Sequence, residues 1–257
     1  MTVNPRWSRL IALALSPVLL VQGRWIKRAI PKLPDAAMPW HGGLEGPDPV
    51  RILVLGDSTA AGVGAPTQAD ALPGNLARSI LDHWGRGSTW NAVGESGGTS
   101  RDIIDRYLEL ATEEKYDLVF LSIGSNDALT LRSRGDFRRD VRTILRRLRS
   151  TSPHALILMS SLPAFFRFEA LPNPLRWTLY LHSMSLELAA RAVVKGEPGV
   201  LMSPPPPPYG SDFFASDRFH PSASGYRDWV GFALTDSKLV PAAGPTADTA
   251  SADDAAA

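Results

Sequence analysis

Short apolar runs alternate with helical stripes along the middle of the chain. The runs are typical of strands buried in a sheet, and the stripes repeat at the spacing of amphipathic helices. Strands are predicted at residues 51–55, 89–93, 117–123 and 155–160. Helices are predicted at residues 72–84, 101–110, 137–148 and 181–194. This alternation predicts βαβ units, and therefore an α/β fold with a mostly parallel sheet and helices on both faces.

The N-terminal part of the chain, residues 1–30, has a different pattern. Its apolar run from Leu10 to Val21 has 12 residues, fewer than the ~20 needed to cross a bilayer. Tryptophans bracket the run, and basic residues lie on both sides of it. We therefore expect an anchor-like segment that binds a membrane surface, in a membrane-associated or exported protein. The alternative is a helix packed on the domain's own surface in a cytoplasmic protein.

The remaining boundaries follow from composition. Residues 31–49 are rich in proline and glycine and are expected to form an extended linker. Residues 50–240 are expected to form the folded domain. Residues 241–257 consist only of Ala, Gly, Pro, Thr, Ser and Asp, which predicts a disordered tail.

Composition and charge exclude several classes of protein. The 257 residues are 44% apolar and 21% charged, as in soluble globular proteins. The net charge of +1 argues against a nucleic-acid partner. Without cysteine there is no disulfide, thiolate metal site or cysteine nucleophile. No cluster of His, Asp and Glu has metal-ligand spacing, so neither a metal nor an organic cofactor is expected. The sequence does not indicate an oligomeric state.

Polar residues follow three of the predicted strands at their carboxyl ends, where parallel sheets bind ligands. The first strand leads into Ser58 of Gly-Asp-Ser-Thr, at an expected strand-to-helix turn. The second leads into a glycine-rich segment with Gly94 and Gly97, and the third into Asn126 of Gly-Ser-Asn-Asp. Each has an ordinary explanation as a helix cap, a loop or a turn. Together they place a hydroxyl, backbone N–H groups and a side-chain amide at one edge of the sheet.

Asp217 and His220 lie three residues apart near the C-terminus, and Pro221 follows them. In a helical turn the two side chains meet. The carboxylate can then fix the imidazole tautomer and stabilise the imidazolium. The remaining histidines have no comparable partner and are expected to be structural or exposed: His41, His83, His154 and His182.

We call the four motifs blocks: the segments around Ser58, around Gly94 and Gly97, around Asn126, and from Asp217 to Pro221. In this order along the chain, they resemble the four signature blocks of the SGNH, or GDSL-type, hydrolase family. The resemblance extends over residues 50–232 and implies a flavodoxin-like, three-layer α/β/α sandwich. Thr59 departs from the commoner leucine after the serine. Both Gly94 and Gly97 are candidates for the second block, and the Ser-Gly-x-Thr context favours Gly97.

The resemblance also implies a serine hydrolase that cleaves carboxylic esters through an acyl-enzyme, without a cofactor. It makes Ser58 the nucleophile, His220 the general base and Asp217 the residue that orients His220. The oxyanion hole is expected to consist of the Ser58 N–H, the Gly97 N–H and the Asn126 side chain.

The substrate is less well defined than the reaction. Residues 162–180 are rich in apolar and aromatic side chains. They either line the site, which suits an acyl or lipid ester, or pack the core. The alternatives are a polysaccharide or peptidoglycan O-deacetylase and a non-catalytic, membrane-associated binding protein that keeps the fold. The arginines between residues 138 and 149 indicate a solvated helix face or a second site for lipid headgroups.

Overall fold

Six strands form one sheet with helices on both faces in the structure, a computed structural model that describes residues 4–239. The strands are β1 (His41–Leu44), β2 (Val50–Gly56), β3 (Ser88–Gly94), β4 (Leu118–Ser122), β5 (Leu156–Met159) and β6 (Val200–Met202). The helices are α1 (Ser8–Ala14), α2 (Ser16–Ala29), α3 (Leu72–Trp84), α4 (Ser100–Arg106), α5 (Ser125–Leu129), α6 (Arg134–Thr151), α7 (Leu175–Val194) and α8 (Ala223–Asp236). Short 3-10 helices lie at Pro5–Trp7, Leu110–Thr112 and Phe165–Arg167.

The sheet has the order β1-β3-β2-β4-β5-β6. The strands from β2 to β6 are parallel, and their order β3-β2-β4-β5-β6 is that of a flavodoxin-like sheet. Only β1 runs antiparallel, at the outer edge of β3. The predicted α/β fold with a central, mostly parallel sheet between layers of helices is therefore confirmed.

Two hydrophobic cores lie on opposite faces of the sheet. Successive side chains of a strand point to opposite faces, and β2 shows this directly. Its Leu53 and Leu55 pack in the core with α4, α6 and α7. Its Ile52 and Val54 pack in the core with α3 and α8. All four side chains have zero exposure, which explains why residues 52–55 of this strand are apolar without interruption.

The prediction of a linker at residues 31–49 is wrong for residues 41–44, which form β1. Gly42 and Gly43 pair with Trp90 and Thr89 of β3. A Cβ atom on Gly42 would come within 2.4 Å of the Trp90 ring, so glycine is what allows the two strands to approach. The glycines that suggested an extended linker instead allow close packing at the edge of the sheet. The predicted tail, residues 241–257, lies outside the described residues.

The N-terminal segment packs on α7. Its two helical parts, residues 5–14 and 16–29, meet at 88°. Within the described residues, no single helix is long and apolar enough to cross a membrane, and only this bent pair reaches the required length and hydropathy when its parts are combined. The Gln22 amide of α2 donates to the Asn173 carbonyl at 2.6 Å and accepts from the Leu175 N–H at 3.0 Å. These bonds attach α2 to the beginning of α7.

A buried histidine attaches α1 to the domain. The His182 Nδ1 lies 2.9 Å from the Ser8 Oγ, and its Nε2 lies 3.0 Å from the Arg132 carbonyl oxygen. Because a carbonyl only accepts, Nε2 carries the proton and Nδ1 accepts from the serine. Burial lowers the pKa of His182 from 6.5 to about 4, so the ring is neutral near pH 7.

Acid is expected to weaken the fold through His182. As the pH falls from 6.5 towards 4, His182 becomes protonated in the unfolded chain but stays neutral in the native protein. Because the unfolded state binds the additional proton, the free energy of unfolding falls. Between pH 7 and pH 5 this loss amounts to roughly 2 kcal/mol. Urea denaturation of the wild type and of His182→Gln measures it, and His154→Gln, at an exposed site, is the matched control. An equal pH dependence in all three proteins would contradict the prediction.

Candidate active site

Three of the four sequence blocks meet at the carboxyl edge of the sheet because their strands are neighbours. β2 lies between β3 and β4, with Gly56 paired to Gly94 on one side and to Ser122 on the other. The segments that follow these strands therefore leave the sheet side by side. They carry Ser58, Gly97 and Asn126.

The fourth block joins Ser58 through hydrogen bonds. The His220 Nε2 lies 3.0 Å from the Ser58 Oγ, although 162 positions separate the two residues in the chain. The His220 Nδ1 lies 2.6 Å from the Asp217 Oδ2. The structure thus brings the predicted hydroxyl, imidazole and carboxylate together in one hydrogen-bonded chain.

The surroundings of Asp217 keep it a carboxylate. Burial of this residue, which is 3% exposed, disfavours the charge. Hydrogen bonds from the His220 side chain and from the backbone N–H groups of His220 and Phe219 outweigh burial and hold the pKa of Asp217 below its usual value. An ionised carboxylate only accepts, so neutral His220 carries its proton on Nδ1. Its unprotonated Nε2 then faces the Ser58 hydroxyl.

The segment around Ser58 is a series of turns, so the expectation of a strand-to-helix turn is wrong. The Asp57 carbonyl accepts from the N–H groups of Ala60 and Ala61, but no helix continues, and α3 begins only at Leu72. Gly62 and Gly64 explain the difference, because their φ angles of +72° and +93° interrupt a right-handed helix. These turns, rather than the beginning of a helix, therefore position Ser58.

Three hydrogen-bond donors lie on the wall of one cavity beside Ser58. Neither the Ser58 N–H nor the Gly97 N–H donates to another group within residues 4–239. The Asn126 Nδ2 donates to the Gly98 carbonyl at 3.0 Å, which leaves its second proton available. Ser58, Gly97, Asn126 and His220 all border this cavity. The arrangement can hold negative charge that develops on an oxygen next to Ser58.

The structure separates the two candidate glycines of the second block. Gly94 ends β3 and does not border the cavity, and a Cβ atom there would lie 1.9 Å from the Gly56 carbonyl oxygen. Gly97 has a φ of +86° and borders the cavity, and a Cβ atom there would meet nothing within 4 Å. Gly94 thus allows two strands to approach, whereas Gly97 presents its backbone to the cavity.

Thr59, a departure from the family pattern, is a structural part of the site. Its Oγ1 lies 3.1 Å from the Asp57 Oδ1 and 2.7 Å from the Ser122 Oγ. It thereby connects the end of β2 to the end of β4 behind Ser58. Asp57 is fully buried, and burial raises its pKa against the opposing hydrogen bonds from Thr59.

Asp127 fixes the helix that carries Asn126, a role that sequence reasoning missed. Its carboxylate accepts from the Ser100 N–H at 2.9 Å and from the Ser100 hydroxyl at 2.7 Å, and it pairs with Arg132 at 3.1 Å. Burial raises the pKa of Asp127, although the bonds from Ser100 oppose this. The contact joins α5 to the beginning of α4, directly after the Gly97 segment. The one available sequence signal was an acidic residue next to Asn126.

The cavity next to Ser58 has a volume of about 810 Å³ and mostly apolar walls. Phe165 and Phe168 border it while they also pack in the core, so the two interpretations of this aromatic segment both hold. Trp177 points elsewhere, is 52% exposed and stacks on Phe166. Other apolar side chains on the wall are Ile123, Leu129, Leu162, Leu171, Leu175, Leu179, Tyr209, Phe213, Phe214 and Phe219.

One wall of the cavity comes from the N-terminal segment. Gly23, Ile26, Lys27 and Ile30 line it from α2 and its end, and residues 31–33 continue the wall. Sequence reasoning treated this segment as separate from the catalytic domain. Within residues 4–239, no group of three or more His, Asp or Glu side chains could hold a metal ion.

Comparisons with known proteins agree with this architecture. The profile of the GDSL-like Lipase/Acylhydrolase family matches residues 54–227. The GDSL-like esterase Rv1075c of Mycobacterium tuberculosis (strain ATCC 25618 / H37Rv) is 29% identical over 206 residues, which cover 75% of this chain. The chain spans 64% of the length of that relative.

Solved structures share the fold at low sequence identity. The lipase Lip_vut3 from a goat rumen metagenome has a TM-score of 0.56 at 16% identity, covering 76% of this chain and 100% of that one. The Clostridium thermocellum family 3 carbohydrate esterase has a TM-score of 0.56 at 15% identity, covering 75% and 96%. The extracellular lipase of Streptomyces rimosus has a TM-score of 0.53 at 17% identity, covering 70% and 96%. Because the family profile matches residues 54–227, more than half of the chain, the chain belongs to the GDSL-like lipase/acylhydrolase family.

Proposed function

We propose that the protein hydrolyses carboxylic esters with a medium-length acyl chain, using Ser58, His220 and Asp217 as a catalytic triad. The observation that carries the proposal is the hydrogen-bonded chain from Ser58 through His220 to Asp217, at the wall of a large apolar cavity. Membership of an ester-hydrolase family supports the same reaction class.

Catalysis begins with proton transfer from Ser58 to His220. A serine hydroxyl is a weak nucleophile until a base removes its proton. The His220 Nε2, at 3.0 Å, accepts this proton as the Ser58 Oγ attacks the ester carbonyl. Asp217 then lies against a positively charged imidazolium and stabilises it. His220 next donates the proton to the departing alcohol, and later removes one from the water that hydrolyses the acyl-enzyme.

The attack places a negative charge on the carbonyl oxygen. The N–H groups of Ser58 and Gly97 and the amide of Asn126 stabilise this oxyanion, because they are fixed before the reaction begins. Asp127 acts as a positioning residue, since its bonds to Ser100 hold α5 and thus Asn126 in place.

The apolar cavity is expected to make the rate depend on acyl length. Burial of a methylene contributes about 0.8 kcal/mol, so kcat/KM should rise about fourfold per methylene from acetate to hexanoate. A series of p-nitrophenyl esters measures this with the leaving group held constant. Leu175→Trp, which reduces the cavity, should lower the hexanoate-to-acetate ratio. Leu188→Trp, exposed on the same helix, should leave it unchanged.

The same series distinguishes the alternative substrates. A maximum at acetate, with faster release of acetate from acetylated xylan or peptidoglycan, would contradict the acyl-ester proposal and favour a carbohydrate O-deacetylase. The wild type should also react with a serine-directed fluorophosphonate. If it neither reacts nor cleaves any ester of the series, the protein keeps the fold as a non-catalytic binding module, and the proposed mechanism is wrong.

A further inference from the structure

The outer surface of the N-terminal helices is unusually apolar. Of the fourteen exposed large hydrophobic side chains in the described residues, seven lie between residues 7 and 25. Their exposed fractions range from 47% to 70%. Leu20 lies on the same side of α2 as Gly23 and Lys27. We call the other six the N-terminal face: Trp7, Leu10, Leu13, Val18, Val21 and Trp25. A contiguous stretch with this density of exposed apolar side chains indicates a binding surface.

Positive charge accompanies the N-terminal face. Six exposed cations lie between residues 4 and 34, and the first acidic residue of the chain is Asp35. None of the six forms an ion pair within the part of the chain that the structure describes. Because the whole chain has a net charge of only +1, the rest of it is net negative. The cations are Arg6, Arg9, Arg24, Lys27, Arg28 and Lys32.

Helix α2 has two distinct sides. Gly23, Ile26, Lys27 and Ile30 follow the i, i+3, i+4, i+7 spacing of one helix face and line the cavity. Val18, Val21, Trp25 and Arg28 follow a second stripe, and all four are exposed. At 100° per residue the two stripes lie on opposite sides of the helix. Helix α2 therefore borders the cavity next to Ser58 with one side and carries part of the N-terminal face on the other.

We propose that the N-terminal face binds an anionic bilayer surface, and that the cavity behind α2 takes its ester from that bilayer. Three features of this segment are typical of helices that bind a lipid interface. Its apolar side chains are exposed, basic residues flank it with no acidic residue among them, and a tryptophan lies near each end. The second half of the proposal rests on the proposed esterase function. Residues 4–33 lie outside the region that matches the family profile, residues 54–227, so the profile does not account for this wall.

Binding to vesicles tests the first half. The full chain is mixed with vesicles of phosphatidylcholine alone or with 30% phosphatidylglycerol, and the bound fraction is measured by sedimentation. Each cation near an anionic surface contributes about fivefold to partitioning. The double variant Arg24→Gln/Arg28→Gln should therefore bind the anionic vesicles about 25-fold more weakly. The matched control Arg146→Gln/Arg147→Gln removes two exposed charges from α6 and should bind like the wild type.

Hydrolysis tests the second half. Each variant is assayed on an ester embedded in the anionic vesicles, and this rate is divided by its rate on soluble p-nitrophenyl butyrate. The normalised rate should fall in parallel with vesicle binding. If the soluble ester is not cleaved at all, the proposed function fails, but vesicle binding still decides the first half of this inference.

Several outcomes would overturn the inference. Equal binding to neutral and anionic vesicles, or loss of binding in the α6 control alone, would show that the N-terminal face is not the anionic-lipid site. A normalised rate that stays constant while binding is lost would show that the ester does not come from the bilayer. A concentration-dependent dimer that Val21→Ser disrupts, without binding to vesicles, would identify the face as an interface between copies of the chain.

Discussion

Replacing Ser58 by alanine is expected to lower kcat/KM for a p-nitrophenyl ester by at least about 10⁴-fold, because loss of a triad nucleophile removes the covalent route. The change removes a single oxygen, whose one hydrogen-bond partner within residues 4–239 is the His220 Nε2. The melting temperature should therefore stay close to that of the wild type. Steady-state kinetics and thermal denaturation of the purified protein measure both quantities.

A second serine provides the control for this result. Ser150 is exposed on α6, and its hydroxyl donates to the Arg147 carbonyl, away from the cavity. Ser150→Ala should keep the wild-type rate and still react with a fluorophosphonate, which Ser58→Ala should not. If Ser58→Ala retained more than a tenth of the wild-type rate, the nucleophile would have to be another residue.

Replacing Asp217 by asparagine is expected to lower kcat by about 10⁴-fold with little change in KM. The two backbone N–H groups of Phe219 and His220 require an oxygen where the Asp217 Oδ1 now lies. The amide of the variant therefore turns its NH₂ group towards the His220 Nδ1. The ring must then carry its proton on Nε2, which leaves no base facing Ser58.

Asp217→Asn is expected to act by changing which nitrogen of the His220 ring carries the proton. Removing a negative charge elsewhere on the same loop should therefore not reproduce its effect. Asp212 is exposed, and in the part of the chain that the structure describes only its backbone carbonyl accepts hydrogen bonds. Asp212→Asn should leave kcat within about twofold of the wild type, as for most surface substitutions. A loss of less than tenfold in Asp217→Asn would show that the carboxylate does not set the tautomer of His220.

Local sequence pattern predicted those elements whose burial is nearly complete. β2 and β4 are apolar in sequence because helices cover both of their faces. β1 has no such pattern, since His-Gly-Gly-Leu becomes a strand only through pairing with β3 and contact with Trp90. β6 has three residues, which is too short for periodicity to show. Nonlocal contacts determine both of these edge strands.

The candidate site divides in the same way. The residues that would react stand in short motifs, and the resemblance predicted Ser58, Asp217 and His220 without the structure. Other residues stabilise the geometry of the site, and the fold determines which partners they contact. Thr59 connects two strand ends, and Asp127 reaches Ser100 across 27 positions of the chain. No spacing rule links such partners, and none indicates that α2 closes the cavity.

β1 also limits how far the protein can be truncated at its N-terminal end. It covers the hydrogen-bonding edge of β3, which in a shortened protein would be free to pair with strands of other molecules. A truncation that keeps only the family-matched region, residues 54–227, would remove that cover together with the first residues of β2. Protein engineering on this scaffold therefore has to retain the residues from His41 onwards, even though they lie outside the matched region.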